Sequence, residues 1–167
     1  MQDGALQLLL DEAACTRLLM AYGRAADWQD GEALEALFWP DAHIDLGFFK
    51  GSGANLPAFM MKNAALSERR FHLTANVHIQ VDADMATSDS CAITHAVGAD
   101  SNGGQVRQIF FGRYLDRFER RNGAWRISER IYILHGHEIA PYQEAGFFDG
   151  VLRAEGFGPG HPYFELA

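Results

Sequence analysis

The sequence predicts an α+β fold: a strongly bent antiparallel sheet that three N-terminal helices close into a cone-shaped barrel. Apolar residues recur at helical spacing up to about residue 27, whereas from His72 onward apolar and polar residues alternate with a period of two. Short turn signals divide the second half of the chain into strand-length segments. A sheet of this kind must bury one of its faces, and the helices provide the cover.

Three helices are predicted, over residues 6–27, 31–38 and 55–66. Leucines and alanines that share one face define the first helix. Asp30 is the expected N-cap of the second helix, and Pro40 ends it because proline has no amide hydrogen to donate. Asn55 is the expected N-cap of the third helix, which carries Pro57 in its first turn.

Five strands are predicted, over residues 42–48, 72–81, 87–97, 106–118 and 125–134, and residues 51–53 are expected to form a loop. Alternation in the second strand puts His72 and Asn76 on one face and Val77 on the other. Tight turns are predicted at 82–84, 101–104 and 121–123. The strands and helices together form one expected domain over residues 1–137.

Length, composition and charge narrow the class of protein. The chain has 167 residues, 48% of them apolar, which suits one globular domain with an internal pocket. Its net charge of −8 disfavours binding to nucleic acid or to an anionic membrane. No apolar segment approaches the roughly 20 residues of a membrane span, and no secretory signal pattern is present. Cys15 and Cys91 are expected to be free thiols, so we predict a cytoplasmic protein.

Residues 138–167 differ in composition from the rest of the chain, being rich in proline, glycine and aromatic residues. So many aromatic side chains argue against a free tail, and we expect an extension that packs on its own domain or on a neighbouring subunit. The exposed face of the sheet is also expected to be apolar. A homodimer or homotrimer is therefore predicted.

Three sequence segments resemble one known family. The first runs from Tyr22 through Asp27 and continues as Asp30-x-x-x-Leu-x-x-Leu-Phe-x-x-Asp-Ala. The second is Phe71-His-Leu-Thr-Ala-Asn-Val, and the third is the pair of aromatic-rich segments 112–118 and 123–130. Together they resemble the SnoaL-like branch of the nuclear transport factor 2-like superfamily over residues 6–134. That superfamily includes dehydratases, dehydrochlorinases, isomerases, cyclases and proteins without activity.

The resemblance implies a catalytic pair. In the family's dehydratases and dehydrochlorinases, an aspartate at the end of the first helix orients a histidine on the first long strand, which corresponds to Asp27 and His72. Such a carboxylate fixes the imidazole tautomer while the other ring nitrogen moves a proton. Tyr22 matches a tyrosine that donates to a developing oxyanion in the family's ketosteroid isomerases, although a plain core tyrosine is an equal alternative. His95 matches a second histidine of the dehydratases.

The remaining predicted site residues would bind the substrate. Asn76 would share a pocket-facing side with His72, and Arg130 would meet an anionic group unless it forms an ordinary surface ion pair. The segment His135-Gly-His137-Glu138 lacks the spacing of a closed metal site, and no metal is expected. The apolar pocket wall is predicted to contain Trp28, Leu46, Phe48, Phe59, Met60 and Phe110.

These observations predict a small, cofactor-independent lyase or isomerase that acts on a hydrophobic, cyclic molecule through an Asp-His proton shuttle. Elimination and isomerisation both remain open. The alternative is a non-catalytic ligand-binding or assembly module, similar to the small subunit of aromatic-ring dioxygenases. No cofactor is expected in either case.

Overall fold

A computed structural model describes residues 2–64, 67, 69–143 and 161 of the chain. These residues form three helices and six strands. The helices are α1 (Gln2–Asp27), α2 (Gly31–Ala36) and α3 (Leu56–Ala64). The strands are β1 (Phe38–Asp45), β2 (Lys50–Ser52), β3 (Arg69–Asp82), β4 (Met85–Ala99), β5 (Gln105–Arg121) and β6 (Ala124–Pro141).

The predicted α+β class is confirmed, but the barrel is not closed. The six strands form one curved sheet in the order β2-β1-β6-β5-β4-β3, so that β2 and β3 are its two edges. All neighbouring strands are antiparallel except β1 and β6, which are parallel. The helices cover the inner face, where the core joins α1 residues such as Leu19 to Phe118 and Ile127 of the last two strands.

The end of α1 is set by local hydrogen bonds. Gln29 has a φ of 55°, and the Asp30 amide donates to the Ala25 carbonyl at 2.9 Å, as in a helix end closed by a left-handed residue. Asp30 then caps α2 by accepting from the Ala33 amide at 2.9 Å, as the sequence predicts. The chain thus reverses directly after Asp27, which leaves that carboxylate at the last turn of α1.

The first strand differs from its prediction. It begins at Phe38 rather than at residue 42 and includes Pro40, which the pairing with β6 tolerates because the register shifts between Phe38 and His43. A loop is predicted over residues 51–53, but residues 50–52 form the short edge strand β2. The Asn122-Gly123 turn has both residues at positive φ, 54° and 81°, as a type I′ hairpin requires.

The strand β3 carries a β-bulge that the alternation did not predict. Asn76 has a φ of 50°, and the pairing with β4 shifts between Ala75 and His78. His72 lies on the inner face before the bulge, and Val77 also packs against the core after it. The prediction that these two residues face opposite ways is therefore wrong.

The predicted boundary at residue 138 falls inside β6, which continues to Pro141. Of the predicted extension, only residues 138–143 and His161 lie among those described, so its packing stays a prediction. His161 is buried, and its ring lies edge-on to that of Trp28 with centroids 5.0 Å apart. In the described part of the chain, no helix combines the length and apolar character that crossing a membrane requires.

Candidate active site

A cavity of about 410 Å³ lies between the helices and the inner face of the sheet. Its wall is mainly apolar and aromatic, with a few polar groups, which is the usual make-up of a small-molecule site. The lining residues are Tyr22, Leu46, Gly47, Phe48, Met60, Arg70, His72, Thr94, Phe110, Tyr114, Tyr132 and Leu134.

Asp27 and His72, which are 45 residues apart in sequence, meet at the wall of this cavity. One Asp27 oxygen lies 2.5 Å from the His72 Nδ1, and the other accepts from the His72 backbone amide at 2.9 Å. The side chains are 14% and 10% exposed, respectively. Because both carboxylate oxygens contact one residue, the imidazole is held in a single orientation.

The close approach of α1 to β3 depends on Gly23. A Cβ atom at this position would lie 3.3 Å from the His72 Cβ, closer than most side chains pack. Tyr22, the preceding residue, also faces this region, and its ring lies edge-on to the imidazole at a centroid distance of 6.2 Å. Helix α1 therefore contributes Tyr22, the glycine contact and Asp27 to one end of the cavity.

Of the apolar residues predicted to line the pocket, Leu46, Phe48, Met60 and Phe110 do so. Leu46 and Phe48 lie in the turn between β1 and β2, which the Leu46 amide closes by donating to the Phe49 carbonyl at 2.8 Å. The turn thus brings two apolar side chains to the cavity from a short loop.

Two other predicted residues lie outside the cavity wall. Trp28 is half-buried and packs on His161 rather than facing the cavity. Phe59 lies behind the wall, where its ring stacks on Phe48 at 6.3 Å and contacts Phe49 at 4.9 Å. Phe59 therefore supports a lining residue without lining the cavity itself.

The expectation that Asn76 and His95 line the pocket is wrong. The bulge at Asn76 turns its side chain outward, where it is exposed and its amide lies 3.9 Å from the Cys91 Sγ. His95 pairs with Phe71, which is on the outer face, whereas the preceding residue Thr94 pairs with His72 and reaches the cavity. A shift of one residue along a strand reverses the face.

Arg130 is neither a pocket residue nor part of a surface ion pair. Its side chain is 1% exposed, and it donates from Nε and Nη2 to the two Asp116 oxygens at 2.7 and 3.0 Å. Its guanidinium stacks on the rings of Tyr22 and Tyr114 at 4.2 and 4.3 Å. Burial alone would lower the pKa of Arg130, but Asp116 and the two phenols raise it above its usual value. The arginine therefore lies as a fixed cation beneath the cavity.

Three tyrosines form a connected group above this ion pair. The ring of Tyr114 lies 5.6 Å from Tyr22 and 5.3 Å from Tyr132. Burial raises the pKa of each phenol, and for Tyr22 the nearby Arg130 opposes this effect. At neutral pH the three hydroxyls are therefore neutral hydrogen-bonding groups, and Tyr22 is among those that line the cavity.

Sequence reasoning missed four polar lining residues: Arg70, Thr94, Tyr114 and Tyr132. Arg70 could have been predicted from the sequence, because it precedes His72 by two positions and a strand places such residues on one face. The other three follow only from the pairing of β4, β5 and β6, which no local pattern reveals. Among the residues described, no group of three His, Cys, Asp or Glu side chains is arranged to hold a metal ion.

A model of the SnoaL-like domain family matches residues 7–131. The chain belongs to this family. An uncharacterized protein of Mycobacterium tuberculosis is 29% identical to this SnoaL-like protein over 125 residues, which cover 72% of this chain and 83% of the relative. The resemblance that the sequence motifs predict is thereby confirmed.

Solved structures share the SnoaL-like fold. Hexachlorocyclohexane dehydrochlorinase LinA-type3 from Novosphingobium barchaimii superposes with a TM-score of 0.70 at 19% identity, covering 86% of this chain and 97% of that one. A scytalone dehydratase candidate from Novosphingobium aromaticivorans has a TM-score of 0.69 at 20% identity, with coverages of 87% and 94%. At these identities the two structures establish the fold.

Proposed function

We propose that this protein is a cofactor-independent lyase or isomerase that moves a proton on an apolar, cyclic small molecule. The observation that carries the proposal is the contact of Asp27 with both the backbone amide and Nδ1 of His72 at the wall of a largely apolar cavity. The fold shared with a dehydrochlorinase and a dehydratase candidate supports the same class of reaction.

The geometry supports a definite role for each group. A carboxylate only accepts hydrogen bonds, so its contact with Nδ1 requires the proton on that nitrogen and leaves the Nε2 lone pair available. His72 takes a proton from a substrate carbon through Nε2, and Asp27 stabilises the imidazolium that forms. Tyr22 donates a hydrogen bond to the substrate from its neutral hydroxyl. Departure of a leaving group then gives elimination, and return of the proton to another carbon gives isomerisation.

The experiment compares variants in proton transfer and in ligand binding. Chlorinated and hydroxylated ring compounds are incubated with the protein in D₂O, and NMR records proton exchange, chloride release or loss of water. We expect His72→Ala to lower the rate by roughly 10² to 10⁴, the usual contribution of a positioned acid or base. Asp27→Asn should also lower it strongly, because the imidazole loses its orienting charge.

The control is His95→Ala, which removes a histidine from the outer face of the neighbouring strand and should leave the rate near that of the wild type. Activity should also survive a chelator. Equal rates in the wild type and in His72→Ala would contradict the proposal.

Assembly of subunits is a second candidate function, which an exposed apolar surface favours. Leu73, Ile93 and Phe111 are cross-strand partners in one row on the outer face of the sheet, and all three are exposed. Phe71, Leu115 and Ile133 extend this outer apolar face. Apolar patches of this kind usually mark an interface, so we propose that the protein forms a homodimer or homotrimer through it. The two functions are compatible, because the cavity lies on the opposite side of the sheet.

A further inference from the structure

The inner face of the sheet continues past the cavity wall along one row of paired residues. His72 pairs with Thr94, which in turn pairs with Phe110, and all three line the cavity. Phe110 pairs with His137 on β6, where the row ends. Residues that pair directly across neighbouring strands put their side chains on the same face of a sheet. A second histidine therefore lies on the inner face, at the opposite end of the row from His72.

A β-bulge in β6 brings His137 to this face. Leu134 lines the cavity, so simple alternation would place Gly136 on the inner face two residues later. The pairing register with β5 shifts between these two residues, and His135 is the extra residue. Gly136 consequently faces outward and His137 takes the inner position. Bulges next to binding sites commonly re-aim a side chain in this way.

Two contacts hold the His137 imidazole in one orientation, although the residue is exposed. Its ring lies flat against that of Phe110, with centroids 4.4 Å apart and an angle of 8° between the planes. Its Nε2 lies 3.1 Å from the Gln108 Oε1. Because an amide oxygen only accepts hydrogen bonds, this contact requires the proton on Nε2 and leaves a lone pair on Nδ1. A side chain that is already ordered loses less conformational entropy when a ligand binds.

The hydrogen-bonding groups of His137 and Gln108 select the kind of ligand group they would bind. While its oxygen accepts from His137, Gln108 still has amide hydrogens to donate, and the His137 Nδ1 is an acceptor. A donor beside an acceptor matches a hydroxyl group, which accepts one hydrogen bond and donates another. A methyl group or a halogen would displace water from both residues without replacing its hydrogen bonds.

We propose that His137 and Gln108 form a polar subsite at the rim of the cavity, which binds a hydroxyl group on the outer ring of a two-ring, otherwise apolar substrate. This inference rests on the proposed function for the position of the reacting ring beside His72. Three strand spacings of roughly 4.8 Å separate His72 from His137, about 14 Å along the sheet. A single ring beside His72 would not reach the rim, whereas a second ring along Thr94 and Phe110 extends towards it. No bond is made or broken at the subsite.

The test is a fluorescence titration of the full-length protein with 2-naphthol and with 2-methylnaphthalene at pH 7. The two probes have nearly the same shape, but only the naphthol makes hydrogen bonds. His137→Phe keeps a ring to stack on Phe110 and removes the acceptor, so it should weaken 2-naphthol binding about three- to tenfold, as the loss of one neutral hydrogen bond does. Gln108→Leu should weaken it by a similar factor. Both variants should bind 2-methylnaphthalene with nearly the wild-type affinity, which would show that the cavity is intact.

Two further variants separate the possible causes of a change. His135→Phe replaces the exposed bulge residue of the same segment and should leave both affinities unchanged. In a His72→Ala background, His137→Phe should still weaken 2-naphthol binding, because the subsite does not depend on the base. If His72→Ala leaves turnover unchanged while this effect persists, only the proposed function fails. The inference about the subsite is overturned if the wild type binds neither probe, or if His137→Phe weakens 2-naphthol binding no more than His135→Phe does.

Discussion

Arg130→Met tests whether the arginine beneath the cavity stabilises the fold, as the structure indicates, or binds ligands, as the sequence suggested. Arg130 and Asp116 are 1% and 0% exposed, and two hydrogen bonds of 2.7 and 3.0 Å join them. Removing the arginine leaves a carboxylate that is shielded from solvent and has lost the cation paired with it. A buried charge without a partner is among the most destabilising changes that one substitution produces.

The expected magnitude follows from the burial of the pair. Breaking a buried ion pair by removing one partner costs about 3 to 5 kcal/mol in the free energy of unfolding. The adjacent pair of residues on the same two strands, Arg117 and Glu129, supplies a matched control. Their side chains are 3.0 Å apart and are 65% and 28% exposed, and a surface pair contributes about 0 to 1 kcal/mol. Arg117→Met should therefore destabilise the protein far less than Arg130→Met.

The assay is urea unfolding of both variants, followed by circular dichroism at one pH and protein concentration. A double variant, Arg130→Met with Asp116→Leu, removes both buried charges and should recover more than half of the loss, because apolar replacements of a buried pair are often close to neutral. The reasoning is refuted if Arg130→Met loses no more stability than Arg117→Met. Loss of proton transfer on the ring compounds at unchanged stability would instead assign Arg130 to the ligand site.

Two further predictions concern the cavity and the outer face. Gly112→Ala should cost about 1 to 3 kcal/mol of unfolding free energy, because its Cβ would overlap the ring and hydroxyl of Tyr132. The control is Gly136→Ala, whose Cβ would have its nearest neighbour 3.8 Å away, and it should cost much less in the same urea unfolding assay. Ile93→Glu should shift the protein to smaller species in sedimentation velocity, because it places a charge in the middle of the apolar row, while Thr87→Glu on the same face should not. A wild-type monomer at micromolar concentration would contradict the proposed assembly.

Much of the fold was predictable because its signals are local. The cap at Asp30 requires only a side chain and an amide three residues apart, and the Asn122-Gly123 turn requires only two residues that tolerate positive φ. Helical and strand periodicities likewise depend on neighbours within one or two turns or pleats. The family motifs added Asp27 and His72 as candidates, although a separation of 45 residues in sequence gave no local reason for their contact.

The site depended more on the tertiary structure. Asn76 breaks the alternation of β3 at a bulge, so residues counted from His72 are assigned to the wrong face beyond it. A bulge is defined by how one strand pairs with another, which the sequence of that strand alone does not contain. The same limit applies to Thr94, because a register displaced by one residue would have put His95 in the cavity in its place.

The charged residues show most clearly which features the sequence determines and which features depend on the tertiary structure. The sequence by itself predicted a strand from His72, and extending that strand back by two residues would have placed Arg70 on the same face, since that follows from the geometry of any extended chain. It did not determine that Arg70 lines a cavity while Arg130 is buried against Asp116. The environment of a charge is set by side chains from distant strands and from α1, and only the packing of these elements decides which charge faces a ligand and which supports the fold.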